Sequence, residues 1–416
     1  MKKNILKSAV VLSFTISLIF LSCSKNPEEI LPVDPVPINT TGAQISLINS
    51  ENSFAFDIFG NVLENAGESE NVMISPLSIS YALSMTLNGA NGVTRDSILN
   101  ALRINGITPE EINNSFKDLT EALLSVDKRV LISIANSVWT ENDFKVKKSF
   151  IDILEDYYNA KSEQFDINDA SAPDKINAWI EDNTNGLIKN MIDKLDDNTV
   201  MLLINAIYFK GKWKSQFDKS ATVEKPFYTP SGSSAEVPMM KQTSDFKYFD
   251  GNGFTLAEFP YGQGNFVMDI ILPDARNGIS ALLPSVTDAG FAGWIGQLSE
   301  KKINLSFPRF KYGYKKKLKD ILSEMGMGIA FTDDADFTNI AATPPLLINE
   351  VIHQAFIETN EEGTEAAAAT VVSIGVTSMP AEPLALNLDH PFLYIIRETS
   401  TNSILFMGRV ADPLAE

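Results

Sequence analysis

The chain has 416 residues, 44% of them hydrophobic and 21% charged, with a formal net charge of −19. That composition supports a large core, and so acidic a surface repels phosphate backbones and excludes nucleic acid as an expected partner. One cysteine, Cys23, excludes a disulfide framework, and two histidines, His353 and His390, leave too few ligands for a multi-histidine metal site and only two candidate bases for a serine–histidine triad.

Lys2, Lys3 and Lys7 open the chain, an apolar run follows from Ala9 to Leu21, and Ser22-Cys23 closes it. A basic start, a short apolar stretch and a small residue before the break describe a secretory signal. Cys23 directly after Ser22 resembles a bacterial lipoprotein cleavage site, with 1–22 removed, Cys23 lipidated, and the protein held to the cell envelope. Phe20 departs from the Leu or Val usual in such sites. The apolar run is short for a spanning helix. Residues 24–39, SKNPEEILPVDPVPIN, hold four prolines and three acids. Such a stretch builds no core, so 23–41 is expected to be a tether and 42–416 a single domain without internal repeats.

Within that domain, Phe54 and Ile58 recur at helical spacing over 50–63. Ser75-Pro76 is a capping pair, and the apolar stretch 77–87 after it predicts a buried helix. A further helix is expected over 172–190, with Asn185-Gly186 as a break. Strands are expected over 130–139, 199–209, 266–272, 302–307, 346–359, 392–398 and 403–410. Successive strands without intervening helices point to α+β with mixed sheets rather than a doubly wound fold.

No Gly-x-Ser-x-Gly elbow, phosphate-binding glycine loop, His-Glu-x-x-His helix or dinucleotide fingerprint occurs. Gly251-x-Gly253 reads as a turn. Asp333, Asp334 and Asp336 lack the glycine and terminal glutamate of a calcium loop and read as solvated. Met239-Met240 reads as packing, and His353, in a mostly apolar segment, as a core residue held by hydrogen bonds. Neither an enzyme nor a cofactor is expected, and no dense basic stripe suggests a heparin-like ligand.

One segment breaks local rules. Glu361 to Thr370 reads EEGTEAAAAT and is followed by VVSIGVTSMP. Alanine favours helix, yet Gly363 precedes the run, β-branched residues follow it, and it continues a strand pattern. As a strand, one face would carry Thr364, Ala366, Ala368, Thr370, Val372 and Ile374, uncharged throughout. Glu365, Ala367, Ala369, Val371, Ser373 and Gly375 would form the other. The segment is fit for burial in a sheet, while 375–383 reads as an exposed loop.

This run resembles the hinge and reactive-centre loop of serpins, protease inhibitors that act by loop insertion. The resemblance extends over about 44–413. NVMISPLSIS at 71–80 is similar to the serpin helix under the central sheet. Asn177-Ala-Trp-Ile180, Thr184-Asn-Gly186 and LINAIYFKGKW at 203–213 are similar to its core strand and breach. Val351-Ile-His353 leads into the hinge, and Asp389-His-Pro-Phe392 and ILFMGR at 404–409 are similar to the closing strands.

The resemblance implies helices around a large central mixed sheet with smaller sheets, a metastable native state, and a monomer. It also implies inhibition of serine, or cysteine, proteases: the target attacks the loop, and the freed hinge enters the sheet carrying the acyl-enzyme. Thr364 to Thr377 would span roughly 45 Å at about 3.3 Å per residue, enough to drag the protease across the domain and distort its oxyanion hole. Glu361, Glu362, Gly363, Thr364, Glu365, Ala366 to Ala369 and Thr370 map to the hinge. Ser75, Ser78, Asn205 and His353 map to the shutter and Trp213 to the breach. The family's spacing from Gly363 places the scissile bond at Thr377-Ser378, with Val376-Thr377 and Met379-Pro380 as alternatives. Gly375-Val376-Thr377 suits an elastase-like or subtilisin-like pocket rather than a trypsin-like one. The rival readings are a non-inhibitory serpin acting as a binding or chaperone module, and a surface hydrolase.

Overall fold

The long helices begin where the sequence satisfies their first N–H groups. In the computed structural model, which describes residues 34–342, 345–364 and 382–415, α1 (Gly42–Glu64) opens with a reciprocal capping box. Gln44 N donates to Thr41 Oγ1 at 3.3 Å, and Thr41 N donates to Gln44 Oε1 at 2.7 Å. After β1 (Val72–Ile74), Ser75 caps α2 (Pro76–Gly89), and Pro76 sits in the first turn, where its missing N–H costs nothing. Next come α3 (Gly92–Ala101) and α4 (Pro109–Ser125), the latter with a second capping box between Thr108 and Glu111. The chain continues through β2 (Val130–Glu141), α5 (Lys148–Tyr158), β3 (Lys161–Phe165), α6 (Ala172–Asn183) and β4 (Met201–Lys212).

Most of the remainder is strand: β5 (Val223–Tyr228), β6 (Ser234–Asp250), β7 (Phe254–Tyr261) and β8 (Phe266–Pro273). The short helices α7 (Ile279–Leu282) and α8 (Asp288–Ile295) precede β9 (Ser299–Pro308) and β10 (Phe310–Lys317). After α9 (Lys319–Leu322) come β11 (Ile352–Asn360), β12 (Gly363–Thr364), β13 (Leu384–Asn387), β14 (Phe392–Glu398) and β15 (Ile404–Val410).

Two mixed sheets result. One is ordered β1-β15-β14-β8-β7-β6-β9-β13, with β5 on β6; the other is ordered β10-β11-β12-β4-β2-β3. In the second, β12 pairs antiparallel with both β11 and β4, so those two long strands run parallel to each other. Among the described residues no ladder joins β11 to β4 directly; only Gly363 and Thr364 bridge them. Helix α2 packs on both β4 and β15, one strand from each sheet, and eleven of its fourteen residues are buried. That position explains why it is apolar all round rather than striped. A second apolar cluster lies between α6 and the strands β2 and β4, built on Trp139, Ile176, Ile180 and Ile204.

The α+β architecture with mixed sheets is as expected, and β14 spans the expected 392–398. Elsewhere boundaries move for local reasons. The helix expected over 172–190 stops at Asn183, because Asn185 (φ 53°) and Gly186 (φ 78°) take left-handed backbone. The strand expected from 346 begins at Ile352. The strands β5, β6 and β7 were not anticipated: β6 pairs in turn with β5, β9 and β7, so its burial follows no simple alternation. Residues 34–41 of the expected tether include Val36 and Ile38, which hydrogen-bond Asn265 and Ser400 of the body. The expected signal peptide and Cys23 lie outside the described residues.

Candidate functional site

The point where β12 enters the sheet is tightly built. Gly363 has φ 144°, and a Cβ there would lie 2.1 Å from Gly211 O, 2.6 Å from Lys212 Cα and 2.8 Å from Trp213 N. All three are main-chain atoms that cannot swing aside, so only glycine fits. Three hydrogen bonds hold the preceding turn: Trp213 N to Glu362 O, Phe217 N to Glu361 O and Trp213 Nε1 to Asn360 O, each 2.9 Å. The Trp213 indole stacks on Tyr261 at 4.4 Å between centroids and 11° between planes. Tyr261 OH in turn lies 2.9 Å from Thr364 Oγ1. Thr364 is thereby anchored through its side chain as well as its backbone, and is buried.

Two acids brace this turn. The Glu361 carboxylate accepts from Arg309 Nε at 2.8 Å and from the Thr222 hydroxyl. Burial pushes that carboxyl up, but the bonds from Arg309 and Thr222 outweigh it and hold the group below its usual range. Glu362 pairs with Lys219 through one oxygen, while its other oxygen is buried without a partner.

Farther along the junction of β11 and β4, here called the slot, residues at the start of α2 tie the two strands together. Ser75 N donates to His353 Nε2 on β11 at 3.0 Å, Ser75 Oγ donates to Leu405 O at 2.7 Å, and Ser78 N donates to Ser75 Oγ at 3.2 Å. Ser78 Oγ donates to Asn205 Oδ1 on β4. Asn205 Nδ2 continues to Asn136 Oδ1 on β2 at 2.7 Å, and Asn136 Nδ2 reaches Tyr158 O at 2.7 Å. Because His353 Nε2 accepts, its proton sits on Nδ1. Burial pushes its pKa down to about 4, so it is neutral at physiological pH. Neither nucleophile nor charged base is formed here; the arrangement is a neutral polar clamp across β11, α2, β4 and β2.

Ser75, Ser78, Asn205 and His353 therefore stand together, and Trp213 stands with Glu361, Glu362, Gly363 and Thr364. Glu365, Ala366, Ala367, Ala368, Ala369 and Thr370 lie outside the described residues, as do Val376, Thr377, Ser378 and Met379. Sequence reasoning missed Asn136, Tyr261, Thr222, Lys219 and Arg309. Asn136 had a signal, since a lone asparagine in a buried strand needs partners. Arg309 had none, as its partner lies 52 residues away. Among the described residues no group of three or more His, Cys, Asp or Glu could hold a metal, and no helix is long and apolar enough to cross a membrane.

Replacing Asn205 by alanine removes partners from both Ser78 and Asn136. An orphaned buried polar group costs about 1–3 kcal/mol, so the urea-unfolding midpoint should fall clearly. An unchanged midpoint would show that the clamp does not support the native sheet.

The family model described as Serpin (serine protease inhibitor) matches residues 49–413. An uncharacterized serpin-like protein of Thermococcus kodakarensis is 34% identical over 92% of this chain and 89% of its own length. A serine protease inhibitor of Cyanea capillata is 35% identical over 84% of this chain and 94% of its own. Among solved structures, human thyroxine-binding globulin complexed with thyroxine superposes with a TM-score of 0.82 at 26% identity, covering 90% of this chain and all of that one.

Proposed function

The chain belongs to the serpin family, and from that premise we propose that it is an inhibitory member, a suicide substrate for serine or cysteine proteases rather than an enzyme. The observation that carries the proposal is the hinge: Gly363 and Thr364 already lie between two parallel long strands that pair with β12 and not with each other. The sequence that continues from them, Glu365 followed by Ala366 to Ala369 and Thr370, has small side chains and a single charge. Small side chains let a strand enter a sheet quickly, and speed decides the outcome, because insertion competes with hydrolysis of the acyl-enzyme.

In the proposed reaction the protease nucleophile attacks the Thr377 carbonyl. The Thr377–Ser378 bond breaks, Ser378 leaves as a new amino terminus, and Thr377 stays esterified to the enzyme. Gly375-Val376-Thr377 favours elastase-like or subtilisin-like targets. Removal of 1–22 and lipidation of Cys23 would tether the inhibitor to a bacterial envelope, its target held there covalently.

The likeness to thyroxine-binding globulin, which by its name binds thyroxine, gives the non-inhibitory reading its observation. Mixing the protein with elastase, subtilisin and trypsin separates the two readings on denaturing gels and by mass spectrometry. A band at the summed mass and a new end at Ser378 are expected with elastase or subtilisin. Clean cleavage without complex by all three would move the assignment to the non-inhibitory reading.

A further inference from the structure

Away from the slot, a cleft of about 390 Å³ opens where the lead-in residues 38–41 meet α1 and the second half of α4. Its volume falls within the range of small-molecule sites. Leu47 and Ile48 of α1 and Leu119 and Ala122 of α4 give it an apolar floor. Asp118 and Glu121 stand at the same wall, and among the described residues no lysine, arginine or histidine lines the cleft. Asp118 Oδ2 accepts a bond from Gln44 Nε2 at 2.7 Å, a neutral donor that leaves its charge uncompensated. Neither carboxylate has a cation within ion-pair distance among the described residues, although Asp57, Asp152, Asp169 and Asp193 elsewhere in the chain each have one.

The helix ends do not reverse this balance. The amino end of α1, at Thr41, brings partial positive charge, and the carboxyl end of α4, at Ser125, brings partial negative charge of similar size. The two net formal charges of the acids remain. We propose that this cleft binds a small amphipathic organic cation, with its alkyl or aryl part on the Leu47–Leu119 floor and its ammonium or guanidinium head at Asp118 and Glu121. Such a ligand bridges α1 and α4 and is independent of the protease-trapping reaction.

The probes are n-hexylamine, hexanol and hexanoate, titrated calorimetrically into the full chain. Hexylamine should bind, and Asp118→Asn with Glu121→Gln should weaken it tenfold or more while hexanol stays unaffected. Both acids are exposed, so the substitutions leave the fold intact, and the amide oxygen introduced by Asp118→Asn can still accept from Gln44. Ala122→Phe, which fills the floor, should abolish binding of all probes. Equal binding of hexanol and hexylamine, tighter binding of hexanoate, no binding of hexylamine, or hexylamine binding unchanged in both variants would each overturn the proposal.

Discussion

Under the proposed mechanism, Thr364→Arg should convert the protein from a trap into an ordinary substrate, with the protease complex replaced by cleaved chain. Thr364 is 5% exposed, its hydroxyl lies 2.9 Å from Tyr261 OH, and its backbone pairs with Thr359 on one side and Gly211 on the other. Among the described residues, the two acids of the adjoining turn, Glu361 and Glu362, are already engaged by Arg309, Thr222 and Lys219. An arginine must therefore be buried unpaired or keep the hinge out of the slot. Burying an unpaired charge costs several kcal/mol, and each 1.4 kcal/mol added to the insertion barrier shifts the partition with deacylation about tenfold. The number of inhibitor molecules consumed per protease inactivated should rise by at least tenfold. Thr364→Ser, which keeps the hydroxyl for Tyr261, should remain an inhibitor. An arginine variant that still gave stable complexes would sink the insertion mechanism.

The same region shows what could be read from the chain alone. The capping Ser75-Pro76 and the buried character of α2 were legible, because each is a local pattern of residue types. Gly363 was legible as a glycine but not in its reason, which is the approach of the Gly211–Trp213 backbone from a strand some 150 residues earlier. Arg309, Thr222 and Lys219 carry no local mark, since long-range topology alone brings them to Glu361 and Glu362. Helix α4 was legible but overlooked: Thr108-Pro-Glu-Glu111 is a capping box, and Ile112, Phe116, Leu119 and Leu123 repeat at helical spacing behind it.

The largest effect on stability should come from Glu51 in α1. Both its carboxyl oxygens are buried and unpartnered, as are the hydroxyls of Ser80 and Ser84 on α2. Burial pushes its pKa from 4.5 up to about 8, with the nearby Ser80 hydroxyl offsetting only part of the rise. The folded chain thus keeps a proton that the unfolded chain gives up above pH 4.5, and stability falls by about 1.4 kcal/mol per pH unit between 4.5 and 8. His353 acts in the opposite sense. Its pKa drops from 6.5 to about 4, so its contribution is whole above 6.5 and is lost at a similar slope as pH falls toward 4. Between pH 4.5 and 6.5 the two slopes cancel, and from 6.5 to 8 only the Glu51 slope remains. In Glu51→Gln that slope is gone. The urea midpoint of the variant should therefore rise relative to the unsubstituted chain as pH increases from 5 to 8, by an amount worth several kcal/mol. Parallel midpoint curves across that range would mean that Glu51 is ionised in the fold and has found a partner.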